Sequence, residues 1–210
     1  MTWRVDYYSP GQLKVIIPFL PHAPRWLVIA GPADANEAQT ARELWPDIKI
    51  IGVEPNPEAV AFQRGAGWPE DCPLLEAALS EACGRAEMCY ESGRLRNGSL
   101  DPTHLGGNRG NPVVTFRKVL TVTLDDLDRD YGPLEDAVVW MDIEGSEYHA
   151  MLGATNLLRR RAVLLWNVEM QTRIPGLMEG IAALMDRHGY RAVHEWNDSD
   201  SCRDRVYVRE

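Results

Sequence analysis

Residues 26 to 53, WLVIAGPADANEAQTARELWPDIKIIGV, contain two short apolar runs separated by a polar segment. The runs Trp26–Ala30 and Lys49–Val53 predict β-strands, because each is short, apolar and bounded by turn residues. The segment Asn36–Leu44 is rich in Ala, Glu, Gln and Arg, which favour a helix. A strand, a helix and a second strand in this order predict parallel strands joined by a right-handed crossover.

The same alternation continues towards the end of the chain. A short helix is expected at about residues 57–63 and a strand at residues 73–79. Residues 137–141 and 162–166 are almost wholly apolar, which is typical of strands buried on both faces of a parallel sheet. A helix over residues 177–188, stopped by Gly189, should precede a closing antiparallel pair at residues 190–196 and 205–209. These patterns predict an α/β fold with a mostly parallel central sheet, an antiparallel closing strand and helices on both faces.

The bulk properties narrow the class of protein. A chain of 210 residues is expected to form a single domain, with a short N-terminal extension over residues 1–25. The net charge of -9 argues against a nucleic-acid partner, because phosphate binding favours a basic surface. No apolar run approaches the roughly 20 residues of a membrane span, and the first residues lack the apolar core of a signal peptide. We therefore expect a soluble, cytoplasmic protein without a membrane partner, whose oligomeric state the sequence does not indicate.

The cysteines and the central loop add two expectations. The four cysteines form no C-x-x-C pair and no zinc-like spacing with histidine, so they are expected to be reduced thiols. Residues 92–112 are rich in Gly, Asn and Pro and are too long for a plain connector. This segment is expected to be either a lid over the substrate or disordered, and its place near the strand ends of such a sheet favours the lid.

An acidic residue, Glu54, follows the second strand. A carboxylate at this place can accept two hydrogen bonds from a ribose diol, as in many nucleotide-binding α/β folds. The alternative is a surface glutamate on a turn before Pro55. Position alone does not separate the two.

The turn after the first strand supplies small residues that let a backbone approach a ligand. It includes Gly31, Ala33 and Asp34, and Asn36 is expected either to adopt a positive φ or to cap the following helix. The turn has no G-x-G-x-x-G fingerprint, which weakens a dinucleotide-binding hypothesis and favours a ligand without a pyrophosphate.

Acidic residues also follow two later strands. Asp142 and Glu144 come after the apolar run at 137–141, and Glu169 is expected to end the neighbouring strand, so Asp142 and Glu169 should face one another at the carboxyl edge. Such carboxylates can activate a hydroxyl or bind a divalent metal ion, although the sequence does not establish a metal. The alternative for the segment 142–147 is a helix cap with Glu147 in the first turn. His149 is a weaker candidate base.

These motifs together resemble the FkbM family of methyltransferases. The similarity rests on a TLDDL segment at 123–127, D-x-E-G-x-E at 142–147, L-G-A at 152–154, a strand ending in Glu169, and E-P-N-P at 54–57. Residues 77–80, Ala-Ala-Leu-Ser, and Gly84 are similar to the family's ALSD…G segment. The resemblance extends over about residues 26 to 208.

The resemblance implies the Rossmann-like class I methyltransferase fold, S-adenosylmethionine as cofactor, and oxygen as the methyl acceptor. The acceptor would be a hydroxyl of a sugar, a glycan or a secondary metabolite. Glu54, with Pro55 in the same turn, would bind the ribose; Ala78 and Leu79 would lie near the adenine. Asp142 would lie near the sulfonium and the acceptor, with Glu169 and Glu144 completing the catalytic set.

One segment departs from the family pattern. Its first turn usually has the form D-V-G-A-N-x-G, whereas here Ala30, Pro32 and Asn36 stand at the Asp and the two Gly positions. Two alternatives to an active O-methyltransferase therefore stay open. One is a related domain that binds a ligand or partner without catalysis, and the other is a nucleotide-dependent enzyme of another class, such as an oxidoreductase.

Overall fold

The computed structural model describes residues 11–32, 35–91, 98–100, 114–199 and 202–210. Within these ranges the helices are α1 Gly11–Ile16, α2 Asn36–Leu44, α3 Pro57–Gly65, α4 Leu124–Tyr131, α5 Glu147–Leu152, α6 Thr155–Arg160 and α7 Leu177–Arg187. The strands are β1 Trp26–Ala30, β2 Lys49–Val53, β3 Leu74–Leu75, β4 Ala78–Leu79, β5 Gly84–Glu91, β6 Gly98–Ser99, β7 Val114–Val122, β8 Ala137–Met141, β9 Val163–Gln171, β10 Tyr190–Ser199 and β11 Cys202–Arg209.

Seven of the described strands form the main sheet, in the order β3-β2-β1-β8-β9-β11-β10. All neighbours from β3 to β9 pair in parallel. Strand β11 is antiparallel both to β9 and to β10. The predicted α/β architecture, with its mostly parallel sheet and antiparallel closing strand, is confirmed.

Helices cover both faces of this sheet, as expected for strands without a polar face. Alternate residues of β1 belong to two separate cores: Val28 packs with the helices α4 to α7, whereas Leu27 and Ile29 pack with α1, α2 and α3. The side chains alternate because a strand has a period of two residues. Every residue of β1 and of β8 is buried, which explains why both segments are continuous apolar runs.

A second sheet, with the strand order β4-β7-β5-β6, lies beside the first. The sequence did not predict β5 and β7, which pair antiparallel around the Gly-rich segment. The single strand expected at 73–79 is also wrong. Leu74–Leu75 pairs with β2 in the main sheet, and after a break at Glu76 and Ala77 the segment Ala78–Leu79 pairs with β7 in the second sheet.

The acidic segment at the start of α4 contributes caps to two helices. Thr123 caps α4, and it forms a reciprocal capping box with Asp126. The Asp125 carboxylate instead accepts hydrogen bonds from the backbone N–H groups of Asn156 and Leu157, at 2.9–3.1 Å, and so caps the start of α6. The TLDDL segment therefore connects two helices on one face of the sheet.

The four cysteines are free thiols. Within the described parts of the chain, every helix is too short or too polar to cross a lipid bilayer.

Candidate active site

Three neighbouring strands end side by side at the carboxyl edge of the main sheet. Ala30 at the end of β1 is aligned in register with Val53 at the end of β2 and with Met141 at the end of β8. The next residues along each strand, Gly31, Glu54 and Asp142, therefore emerge at the same edge, where open α/β sheets bind ligands.

Gly31 makes this convergence possible. Its φ is 73°, and a Cβ atom built on it would lie 1.9 Å from the carbonyl oxygen of Asp142. The N–H of Gly31 donates to the carbonyl of Val53 at 3.0 Å. The N–H of Asp142 donates to the carbonyl of Ala30 at 3.1 Å. Any other residue at position 31 would push the first turn away from the end of β8.

The rest of the first turn is partly outside the described residues, which include neither Ala33 nor Asp34. Pro32 is buried, and its carbonyl accepts a hydrogen bond from the side-chain amide of Gln63 in α3. Asn36 neither adopts a positive φ nor caps α2. It is the first helical residue, and Ala35 occupies the cap position.

Glu54 is 8% exposed, and one of its carboxylate oxygens accepts the N–H of Asn56 at 2.7 Å. Burial raises the pKa of Glu54 to about 8, and the negative charge of Asp142 contributes to the rise. The following turn is ordered by Asn56, whose side chain caps α3. Pro55, half-buried, lies in this turn next to the carboxylate.

Glu169 does not end its strand as expected, because β9 continues to Gln171. Since Met141 pairs with Val168, Glu169 is the register neighbour of Asp142. One carboxylate oxygen of Glu169 accepts the thiol of Cys202 at 2.7 Å, and the other accepts the side-chain amide of Gln171 at 3.0 Å. Burial raises the pKa of Glu169 well above its usual value, and the charges of Asp142 and Glu144 add to this effect.

Glu144 is held in an unusual backbone conformation. Its φ is 57°, in the left-handed region that non-glycine residues rarely adopt. Its carbonyl accepts the hydroxyl of Ser99 at 2.7 Å, and its carboxylate accepts the same Gln171 amide that contacts Glu169, at 3.2 Å. Contacts from both sheets therefore fix Glu144, which is how a strained residue persists near a site.

Glu147 is completely buried and organises the loop after β8. Its carboxylate accepts the backbone N–H of Ile143 at 2.9 Å and that of Gly145 at 3.3 Å. Burial raises the pKa of Glu147 to about 8. Its role in the described contacts is thus to shape the segment that carries Asp142 and Glu144.

The site as a whole is strongly acidic. The charge of Asp142 contributes to the raised pKa values of Glu54, Glu147 and Glu169, so these carboxyl groups lie within range of its charge. Such a site suits hydroxyl donors and a cationic group, and it disfavours the anionic pyrophosphate of a dinucleotide. In the described part of the chain, no group of three or more His, Cys, Asp or Glu side chains is arranged to bind a metal ion.

Two further predicted residues, Ala78 and Leu79, form β4 and are buried. Leu79 belongs to the same core cluster as Val53, the residue before Glu54. Their proximity to an adenine ring stays a prediction.

A cleft of about 620 Å³ opens beside this acidic cluster. It is lined from one side by Gly145, Ser146 and His149, and elsewhere by residues of the second sheet and of the segment 174–177. Of the expected lid at 92–112, only residues 98–100 are described, and Leu100 lines this cleft. The remainder of the segment lies outside the described residues.

Sequence reasoning missed Gln171 and Ser99. Gln171 is two residues after Glu169, and residues two apart on a strand share a face. Extending β9 by this period would have placed both side chains together. No local pattern pointed to Ser99, because its contact with Glu144 spans 45 residues.

Known proteins are similar to this chain in sequence and in fold. The 2-O-methyltransferase NoeI of Sinorhizobium fredii (strain NBRC 101917 / NGR234) is 27% identical over 142 residues, which are 62% of this chain and 57% of NoeI. The chain thus matches little more than half the length of that relative.

Solved methyltransferase structures share the architecture. One is a precorrin-6y C5,15-methyltransferase from Geobacter metallireducens GS-15, with 12% identity and a TM-score of 0.53. The match covers 100% of this chain and 94% of the precorrin methyltransferase chain. The fibrillarin pre-rRNA processing protein of Methanococcus jannaschii gives 97% and 77% coverage, 8% identity and a TM-score of 0.55. At these identities the likeness concerns the fold alone, which is that of class I methyltransferases.

The sequence profile described as the methyltransferase FkbM domain matches residues 28–192. This range includes the first turn, Glu54, the acidic cluster and the cleft-lining segment. The chain belongs to the FkbM methyltransferase family.

Proposed function

We propose that this chain is an S-adenosylmethionine-dependent O-methyltransferase that acts on a hydroxyl of a sugar, a glycan or another small molecule. The observation that carries the proposal is the convergence of Glu54, Asp142, Glu144 and Glu169 at one edge of the sheet. Family membership and the sequence similarity to a 2-O-methyltransferase support it.

The residues at this edge fit the cofactor chemically. Glu54 has one carboxylate oxygen bound to Asn56, and its other oxygen is available for a ribose hydroxyl. Gly31 brings the first turn against the end of β8, with Asp142 beside it. The negative charge of Asp142 would stabilise a cationic sulfonium, and Ala78 and Leu79 would offer apolar contacts to the adenine.

The cofactor supplies a methyl group on a good leaving group, so the protein must mainly align the reactants and exclude water. Gly145 and Ser146 line the cleft and directly follow Glu144, so an acceptor in the cleft would lie next to the acidic cluster. The Gln171 side chain, which bonds to both Glu144 and Glu169, would fix the positions of these two carboxyl groups near Asp142. Leu100, in the described part of the Gly-rich segment, lines the cleft and would contact the acceptor.

One observation favours the alternative of a non-catalytic binding domain. Buried Pro32 replaces a glycine in the first turn, and its carbonyl is bound to Gln63. A proline lacks the backbone N–H that a glycine could offer to a ligand. Under our proposal, the turn binds the cofactor through its shape and its remaining backbone groups.

Calorimetry followed by a transfer assay tests the proposal. The protein should bind S-adenosylmethionine and S-adenosylhomocysteine, and it should add one methyl group to a member of a panel of 4-nitrophenyl glycosides, detected by mass spectrometry. Binding without transfer to any glycoside would favour the binding domain. No binding of either ligand would refute the proposal.

A further inference from the structure

We propose that His149, oriented by Glu81, accepts the proton of the acceptor hydroxyl during methyl transfer. This inference rests on the function proposed above. It assigns the base to the wall of the acceptor cleft instead of to the buried carboxyl groups.

The location of His149 is the first argument. It lines the cleft of about 620 Å³, and 61% of its side chain is exposed. Ser146, Tyr148, Ser80 and Leu177 also line this cleft. An acceptor bound in this space would therefore contact the imidazole directly.

The hydrogen bond of the ring is the second argument. Nδ1 of His149 lies 3.2 Å from Oε2 of Glu81, which directly follows Ser80 at the end of β4. An ionised carboxylate can accept a hydrogen bond but cannot donate one, so the proton of the neutral ring is on Nδ1. The lone pair of Nε2 is then left to receive the proton of the acceptor hydroxyl. Glu81 also stabilises the imidazolium that forms.

The packing of α5 supports this orientation. Tyr148, the preceding residue, packs so closely on α7 that a Cβ atom on Gly180 would lie 3.2 Å from its ring. Tyr148 and His149 also make an edge contact, with ring centroids 6.2 Å apart. The anchored tyrosine directs the next side chain away from the core and into the cleft.

The buried carboxyl groups are poorer bases for an acceptor in this cleft. Both oxygens of Glu169 already accept hydrogen bonds, and Glu147 is completely buried. Gly145 and Ser146 form the nearby wall, and the side chains of Asp142 and Glu169 are not part of the described lining. A base has to reach the proton within hydrogen-bond distance, which His149 can do.

The step balances in atoms and charge. The acceptor oxygen bonds to the methyl carbon as the carbon–sulfur bond of the sulfonium breaks, and the O–H proton moves to Nε2. The products are the methyl ether, the neutral thioether and an imidazolium, which then releases its proton to solvent. The titratable groups recorded in contact with the ring are Glu81, at 3.2 Å from Nδ1, and Tyr148, in edge contact with it.

The test compares three variants with a matched control. The variants are His149→Gln, His149→Ala and Glu81→Gln, and the control is His22→Gln. His22 is also an exposed histidine paired with a carboxylate, at 3.3 Å from Asp136, but Asp136 precedes β8 at the opposite edge of the sheet. The acceptor is the 4-nitrophenyl glycoside that the wild-type protein methylates fastest.

We expect His149→Gln to lower kcat by about 10²-fold, with KM for the glycoside and affinity for S-adenosylmethionine changed less than about threefold. The wild-type rate should fall at acid pH, and this fall should be absent in His149→Gln. Added imidazole should restore part of the rate to His149→Ala. In ¹⁵N NMR spectra of the cofactor-free wild-type protein, the neutral His149 ring should carry its proton on Nδ1. In Glu81→Gln this preference for Nδ1 should be lost. The control should match the wild-type protein.

The outcomes separate this inference from the function on which it rests. A wild-type protein that methylates no glycoside of the panel overturns both. An active wild-type protein with an equally active His149→Gln variant, or with the ring proton mainly on Nε2, overturns the assignment of His149 and leaves the methyltransferase proposal intact.

Discussion

At the scale of single residues, burial next to other carboxyl groups determines the chemistry of the site. Burial raises the pKa of Glu54 and of Glu147 to about 8, and it raises the pKa of Glu169 well above its usual value. Glu54 and Glu147 are therefore largely protonated in the cofactor-free protein at neutral pH, and a cationic ligand would favour their ionised forms.

Glu54 should control cofactor affinity in a pH-dependent way. Glu54→Ala should weaken S-adenosylmethionine binding by about 1.5–3 kcal/mol, as for a lost hydrogen bond to a charged group. Because ribose hydroxyls donate to the ionised carboxylate, wild-type affinity should rise with pH up to about 8, by at most about tenfold per pH unit, and level off above. Calorimetry at several pH values measures both effects.

Glu58→Ala is the matched control for Glu54, since Glu58 is an exposed carboxylate in the first turn of α3. It should leave the affinity and its pH dependence unchanged. Equal behaviour of the Glu54 and Glu58 variants would remove Glu54 from the cofactor site.

Asp142 and Glu169 should respond differently to isosteric replacement. Asp142→Asn removes the negative charge that the surrounding carboxyl groups sense, and it should lower turnover by at least about 10²-fold. Glu169→Gln should lower turnover less than Asp142→Asn does, because burial raises the pKa of Glu169 and so already disfavours its ionised form. Steady-state kinetics on folded variants checks this, and a larger loss for Glu169→Gln than for Asp142→Asn would contradict it.

At the scale of secondary structure elements, the TLDDL segment connects helices in addition to starting one. Thr123 and Asp126 cap α4, and Asp128 accepts the backbone N–H of Leu134 at 2.8 Å and a guanidinium N–H of Arg160 at 2.9 Å. Asp125 caps α6 across a separation of more than 30 residues. These carboxylates stabilise the face of the sheet that supports the cleft.

Asp125→Ala should therefore destabilise the protein without affecting the site directly. The loss of the cap on α6 should lower the free energy of unfolding by about 0.5–2 kcal/mol. Urea denaturation measures this, with Asp130→Ala as the control, because Asp130 is exposed and pairs only with Arg129 in the described contacts. Equal destabilisation by both substitutions would contradict the capping role.

At the scale of the whole molecule, the raised pKa values make stability depend on pH. A carboxyl group whose pKa is higher in the folded state stabilises the fold fully below its unfolded pKa, and this contribution is lost as pH rises through the folded pKa. For Glu54 and Glu147 the window runs from about 4.5 to about 8. Asp126 acts in the opposite sense, because the Cys83 thiol and the Thr123 hydroxyl lower its pKa, but its contribution is lost only in acid.

The cofactor-free protein should accordingly lose stability between about pH 5 and pH 8, by roughly 1–4 kcal/mol. Glu147→Gln keeps an acceptor for the N–H groups of Ile143 and Gly145 but cannot ionise, so it should flatten this dependence. Urea denaturation across the pH series is the measurement, with exposed Glu43→Gln as the control. An unchanged slope in Glu147→Gln would show that other groups cause the loss.

The sequence by itself determined the alternation of strands and helices in the main sheet and the bounds of four of these elements. Strands β1, β2 and β8 and helix α2 begin and end at the predicted residues, because runs buried on both faces are apolar throughout and turn residues bound them. The motifs also indicated the family and the edge of the sheet at which Glu54 and Asp142 emerge, since the carboxyl ends of parallel strands share one edge.

Only the tertiary structure decided which distant residues meet. The Gln171 amide links Glu144 to Glu169, Ser99 fixes the Glu144 carbonyl, and Glu81 orients His149 across 68 residues. Likewise, Asp125 caps a helix that starts 30 residues later. Such contacts leave no local pattern, because side-chain hydrogen bonds depend on distance in space, whereas periodicity and propensity report only on neighbours along the chain.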